Sequence, residues 1–165
     1  LSLQAWQTFC PLKIVNVVSS AEMCEATISA FKQADITILC AAVADFTPCK
    51  IADRKLKKQE LSTINSQLSI ELTTTTDIAA TLGKEKGEKL LIGFALETHD
   101  EQANALRKLQ SKNLDMIVLN SLQDSGAGFG VDTNKVTLLY TDGTKKDLPL
   151  LLKQEVADTI IETLH

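Results

Sequence analysis

Hydrophobic and polar positions alternate along this chain in blocks that change period. Residues 12–18 (LKIVNVV) are β-branched and mostly apolar, the pattern of a strand. Ser19 follows, with Glu22 three residues on, a capping box that starts a helix running to about Gln33. Met23, Ala26, Thr27, Ala30 and Phe31 recur on one face of that helix. Residues 35–44 (DITILCAAVA) form a short, nearly continuous apolar run, as expected of a strand buried on both faces. Residues 49–66 lose all hydrophobic periodicity and read as a mobile loop or flap. Residues 67–72 (QLSIEL) alternate as a strand does, and Thr73 to Thr76 lead into Asp77 and a short helix ending at Gly83. Residues 89–95 (KLLIGFA) predict a strand, 99–112 a helix, and 114–119 (LDMIVL) a further strand, followed by a Gly-rich loop over 125–130. Residues 134–140 and 144–148 pair across Asp142-Gly143, a hairpin signal. Residues 150–164 close the pattern as a helix with Leu152, Val156, Ile160 and Leu164 inward. Strand and helix alternate without internal repeats or a low-complexity linker. The expected fold is therefore one α/β domain, a mostly parallel sheet with helices on both faces, plus a C-terminal hairpin and helix.

Composition narrows the class. The chain has 165 residues, about one domain's worth, and 44% are hydrophobic against 23% charged, which excludes a disordered tail. No apolar run approaches the roughly 18 residues of a membrane span. The aromatics are too few for a platform that stacks single-stranded bases, so nucleic acid is not an expected partner. The cysteines are Cys10, Cys24, Cys40 and Cys49, with no C-x-x-C spacing and only His99 and His165 to join them, which argues against structural zinc. Cys24 and Cys40 fall in apolar segments and are expected as buried thiols. With no signal-peptide pattern, the expected compartment is the cytoplasm. The chain begins at Leu1 without an initiator Met and reads as a piece of a longer protein.

Net charge is −4, but its distribution matters more. Residues 50–58 hold Lys50, Arg54, Lys55, Lys57 and Lys58 against Asp53, a local +4 that leaves −8 for the remainder. Such a flap either closes over a polyphosphate or is a solvated loop. In an open parallel sheet, ligands bind beyond the carboxyl ends of the strands. That rule brings Ala41–Asp45, Thr73–Asp77, Gly93–Thr98 and Asn120–Gly130 to one rim. Asp45 suits a sugar hydroxyl or Mg²⁺, or caps a turn. The threonines lie at a helix N-terminus, an anion site or simply a cap. Lys108 and Lys112, spaced i, i+4, address a phosphate or solvent. The run Gly126-Ala-Gly-Phe-Gly130 precedes a strand rather than a helix, so it is a tight turn and not a dinucleotide loop. His99 reads as a capping or surface group.

The motifs Ala41-Ala-Val-Ala-Asp45, Lys55-Leu-Lys-Lys-Gln59, Gly93-Phe-Ala-Leu-Glu97-Thr, Lys112-Asn-Leu-Asp115 and Gly128-Phe-Gly-Val-Asp132-Thr-Asn134 stand in this order along the chain. Together they resemble phosphopantothenate–cysteine ligase, the phosphopantothenoylcysteine synthetase of coenzyme A biosynthesis. That family is usually the C-terminal half of a bifunctional bacterial protein whose other half is a flavin-dependent decarboxylase. The resemblance implies a Rossmann-like fold and a homodimer. It implies ligation of cysteine to 4′-phosphopantothenate through an acyl-cytidylate, with CTP (or ATP) as co-substrate and Mg²⁺. It implies that Lys55 is the catalytic flap lysine, that Leu39, Cys40 and Ala41 line the nucleotide site, and that Asp45 contacts the nucleotide. Thr73, Thr74, Thr75 and Thr76 would sit where the family holds the cytosine, Phe94 would contact the nucleotide, and Lys108 and Lys112 would engage its phosphates. The hairpin around Asp142-Gly143 would lie near the dimer contact. One departure stands at the front. Leu1–Pro11 matches neither the family's Gly-rich turn nor the N-x-S-S-G-type segment whose Asn stabilises the intermediate. A chain lacking both is expected to bind nucleotide weakly and not to complete the ligation. Two other readings stay open: a non-catalytic nucleotide-binding or assembly domain of the same fold, and an NAD-type dehydrogenase, the latter weakened by the absence of G-x-G-x-x-G.

Overall fold

The computed structural model describes residues 12–50, 53–54, 69–121 and 130–164. Its first helix, α1 (Ser20–Phe31), starts where the capping box predicts. The Ser19 hydroxyl accepts from the Glu22 amide at 3.2 Å, and the Glu22 carboxylate accepts from the Val18 amide at 2.8 Å. The main sheet holds β1 (Ile36–Leu39), β4 (Leu90–Glu97), β5 (Met116–Ser121), β7 (Val136–Tyr140) and β8 (Lys145–Asp147), in that spatial order. β1, β4 and β5 run parallel, whereas β7 and β8 add antiparallel. The remaining helices are α2 (Ile78–Glu85), α3 (Glu101–Ser111) and α4 (Lys153–Glu162).

Strand parity divides the core into two layers. Leu91, Ile117, Leu119 and Leu139 point to the face covered by α1, α2 and α3. Their neighbours Ile92, Met116, Val118 and Leu138 point to the opposite face, with Val156 and Ile160 of α4. The expected α/β architecture, with helices on both faces and a C-terminal hairpin and helix, is what forms.

Several boundaries differ from the sequence pattern. Residues 12–18 do not form a strand. A strand exists only by pairing, and among the described residues none pairs with this segment, whose Ile14, Val15 and Val18 are exposed. The run 35–44 yields only the four residues of β1, and Ile36 and Ile38 remain exposed because β1 pairs with β4 alone. Cys40 lies beyond the strand end and is exposed, contrary to its apolar setting in sequence, whereas Cys24 is buried. The strand expected at 67–72 appears as β3 (Leu72–Thr74), antiparallel to β2 (Phe46–Pro48) in a separate two-stranded arm. β6 (Thr133–Asn134) and β9 (Leu151–Leu152) form another small pair, so α4 starts later than expected and Leu152 is exposed. α2 runs past Gly83 to Glu85. The Gly83 position is a close approach rather than a stop, since a Cβ there would lie 1.9 Å from the Lys112 carbonyl oxygen. Of the flap expected over 49–66, only Cys49, Lys50, Asp53 and Arg54 are among the described residues. Lys55, Lys57 and Lys58 lie outside the described residues, as does the loop before Gly130.

Candidate nucleotide site

Parallel strands end their backbone hydrogen bonding at their carboxyl edge, which leaves a crevice between the departing loops. Here the crevice is a cleft of about 470 Å³ at the ends of β1 and β4, closed at its sides by α1, α2 and α3. Ile38, Leu39, Val43, Ile78 and Leu114 supply apolar wall, and Asp45, Thr75, Thr76, Asp77, Lys108 and Lys112 supply polar groups. A more open hollow of about 480 Å³ adjoins it, sharing Met23, Ala41, Val43 and Thr75 and reaching Ser19, Ser20 and Phe46.

Most of the residues singled out in the sequence converge here. Leu39, Cys40, Ala41, Asp45, Thr75, Thr76, Phe94, Lys108 and Lys112 all line the cleft. Phe94 shares Ile92's side of β4 and packs against the α4-side core while bordering the cleft. Thr73 and Thr74 do not line it. They stand in β3, opposite Thr47 and Phe46. Lys55 lies outside the described residues. Of the fourth expected stretch, Asn120 instead accepts a hydrogen bond from Asn134 at 2.8 Å.

The arm fixes the loop that carries Asp45. The Thr75 amide donates to the Asp45 carbonyl at 2.9 Å, and the Thr75 hydroxyl donates to the Ala44 carbonyl at 2.6 Å. The Asp45 carboxylate itself is exposed at the cleft. Asp77 caps α2, accepting from the Ala80 amide at 3.0 Å. Partial burial pushes its carboxyl up, but the Ala80 amide, the Lys112 ammonium and the Ala79 amide outweigh burial and hold it below the usual carboxylate range.

The two lysines are not loose. Lys112 Nζ lies 2.9 Å from Asp77 Oδ2, and Lys108 Nζ lies 2.6 Å from Glu97 Oε1. Sequence reading found the lysines by their spacing on one helix but not their partners, which arrive from the end of β4 and the start of α2. An ammonium carries three N–H donors, so each lysine keeps donors for an anion. Among the described residues no three His, Cys, Asp or Glu side chains gather to hold a metal ion. A Mg²⁺ that travels on phosphates and keeps its waters needs only one or two protein oxygens, and the Asp45 carboxylate suits that demand.

A family model, the DNA/pantothenate metabolism flavoprotein C-terminal domain, matches residues 4–165. The chain belongs to this family. Among curated relatives, it is 44% identical over 152 residues to the coenzyme A biosynthesis bifunctional protein CoaBC of Bacillus subtilis (strain 168), covering 92% of this chain and 36% of that protein. It is 49% identical over 154 residues to a cysteine/cysteine sulfinic acid decarboxylase from an unknown prokaryotic organism, covering 93% of this chain and 42% of that protein. The crystal structure of the C-terminal domain of CoaBC superposes with a TM-score of 0.71 at 40% identity, over 91% of this chain and 65% of that one. The chain thus spans roughly two fifths of the length of these curated relatives. The family's fold and the resemblance read from the motifs agree. No helix among the described residues is long and apolar enough to cross a membrane.

Proposed function

We propose that this chain is the ligase part of a coenzyme A biosynthesis enzyme, joining cysteine to 4′-phosphopantothenate through a nucleotide-activated acyl intermediate. The observation that carries the reading is the convergence on one strand-end cleft of an exposed carboxylate, Asp45, a helix N-terminus at Asp77 and two lysines one turn apart. Membership of a family whose curated member CoaBC is a coenzyme A biosynthesis protein supports it.

The chemistry explains why such a site is needed. A carboxylate is a poor electrophile, because oxide would have to leave. In the proposed reaction the pantothenate carboxylate oxygen attacks the α-phosphorus of CTP, and the bond to the β-phosphate oxygen breaks, releasing pyrophosphate. The cysteine amine then attacks the acyl carbon of the mixed anhydride, loses a proton and displaces CMP. Charge builds on the phosphates in the first step. Lys108 and Lys112, each held by a carboxylate partner at the cleft, would neutralise it. The turn Leu39–Ala41 forms one wall of the nucleotide cleft and Asp45 offers an acceptor for a ribose hydroxyl. The adjoining hollow, which meets the cleft at Ala41, Val43 and Thr75, gives room for the acyl substrate. Mg²⁺ on the triphosphate would supply further neutralisation. Lys55 is assigned the flap role, closing on the phosphates and excluding water from the anhydride. A homodimer and a flavin-dependent decarboxylase partner belong to the same proposal.

Because Leu1–Pro11 lacks the segment expected to stabilise the intermediate, the test combines the intact natural protein with phosphopantothenate, cysteine, Mg²⁺ and either CTP or ATP, and follows pyrophosphate release and product mass. Release that requires phosphopantothenate, with CTP preferred, supports the reading. Lys55→Gln is then expected to lower turnover by at least about 100-fold with an unchanged far-ultraviolet spectrum. Tight nucleotide binding without any pyrophosphate release would instead favour a non-catalytic nucleotide-binding domain.

A further inference from the structure

Two lysines reach the cleft from one helix, but their anchors differ. Asp77 is about half exposed, at 49%, and its contact with Lys112 is 2.9 Å. Glu97 is only 12% exposed, and its contact with Lys108 is 2.6 Å. Glu97 is the last residue of β4, opposite Ser121 in the parallel ladder to β5, so strand pairing sets its backbone. Lys108 is 40% exposed and lines the cleft. One end of this pair is therefore fixed and enclosed, and the other is the end that faces a ligand.

A buried carboxylate beside an anion site has two opposite effects. It repels a phosphate, and it fixes the flexible four-carbon stem that a lysine would otherwise have to order on binding. Geometry decides between them. Glu97 accepts one N–H of the Lys108 ammonium and does not itself line the cleft, whereas Lys108 does, so the ligand meets the ammonium rather than the carboxylate. The ordering cost is thus met in the free protein, and two donors remain for a phosphate oxygen. We propose that Glu97 is a positioning residue, holding Lys108 ready for the phosphates of the nucleotide. The role rests on the nucleotide reading of the cleft.

The experiment titrates MgCTP and MgATP into the intact natural protein by calorimetry, comparing wild type, Glu97→Gln, Lys108→Gln and the double variant. Glu97→Gln preserves shape and a hydrogen-bond acceptor, and Lys108→Gln leaves the enclosed Glu97 a donor, so both should fold. Thermal melts check this. Glu97→Gln should weaken binding about tenfold, the loss of one pre-ordered long side chain. The double variant should bind no more weakly than Lys108→Gln alone, since Glu97 acts only through that lysine. In turnover, the KM for nucleotide should rise while the KM for cysteine holds, a split that a merely structural role would not produce. Should Glu97→Gln fail to fold, Glu97→Asp, which keeps the charge but withdraws it by one methylene, is read in the same way. Wild-type or tighter binding by the Glu97 variant, or additive losses in the double variant, overturns the positioning role alone. Absence of nucleotide binding by the wild type overturns both this role and the nucleotide reading.

Discussion

Asp77 receives the Ala80 amide on one carboxylate oxygen and Lys112 on the other. Its two contributions are separable, because an N-cap needs only a side-chain oxygen whereas the ion pair needs charge. Asp77→Asn should keep α2 capped and lose the hold on Lys112. Asp77→Ala should lose both, costing about 1 kcal/mol of stability in urea denaturation for the cap. The carboxyl is held below its ordinary range in the folded chain, so its stabilisation is full above the unfolded value and fades as pH falls through the folded one. The acid limb of a stability–pH profile should therefore be shallower in Asp77→Asn than in wild type. A limb of equal slope would remove Asp77 from the acid response. At this scale the sequence was legible in one direction only. Spacing alone puts Lys108 and Lys112 on one helix face. Their partners, Glu97 and Asp77, become neighbours only when β4 and α2 pack beside α3.

Helix α2 meets the C-terminal end of α3 at Gly83, and Asn113, with φ of +51°, donates its side-chain amide to the Gly83 carbonyl at 2.7 Å. Helix propensity alone would make Gly83→Ala favourable by about 1 kcal/mol. Packing opposes it. The new Cβ would lie 1.9 Å from the Lys112 carbonyl oxygen, a backbone atom that yields only if α3 moves. Overpacking costs of about 1–3 kcal/mol are typical, and a backbone obstacle belongs at the upper end, so a net loss of stability is expected in urea denaturation. The displacement also moves Lys112, so nucleotide affinity should fall with it. A stabilised Gly83→Ala variant would show that the helices part freely. Sequence placed Gly83 at the end of α2 because a glycine near a helix terminus is ordinarily a stop. The contact that retains it inside the helix belongs to another element. The same limit applies to residues 12–18 and to the β2–β3 arm: apolar alternation marks a segment able to be a strand, but only a partner makes it one.

The whole sheet separates stability from the site. Ile92 of β4 and Ile117 of β5 are both essentially buried, at 0% and 1% exposure, and stand on opposite faces. Ile92 packs toward α4, and Ile117 packs toward the helices that enclose the cleft and lines the cleft itself. The parallel, apolar centre of the sheet and the hairpin were readable from the sequence because continuous apolar runs and Asp142-Gly143 are local signals. Which face of β5 supports the site was not, since both faces are equally apolar. Ile92→Val and Ile117→Val remove the same methylene and should cost about the same, roughly 0.5–1.5 kcal/mol each in urea denaturation. Only Ile117→Val should alter nucleotide binding, because its lost atom leaves a gap in the cleft wall, whereas the gap at Ile92 is closed off by the sheet. If the two variants weakened nucleotide binding equally, the cleft would depend on global stability rather than on the face that builds it.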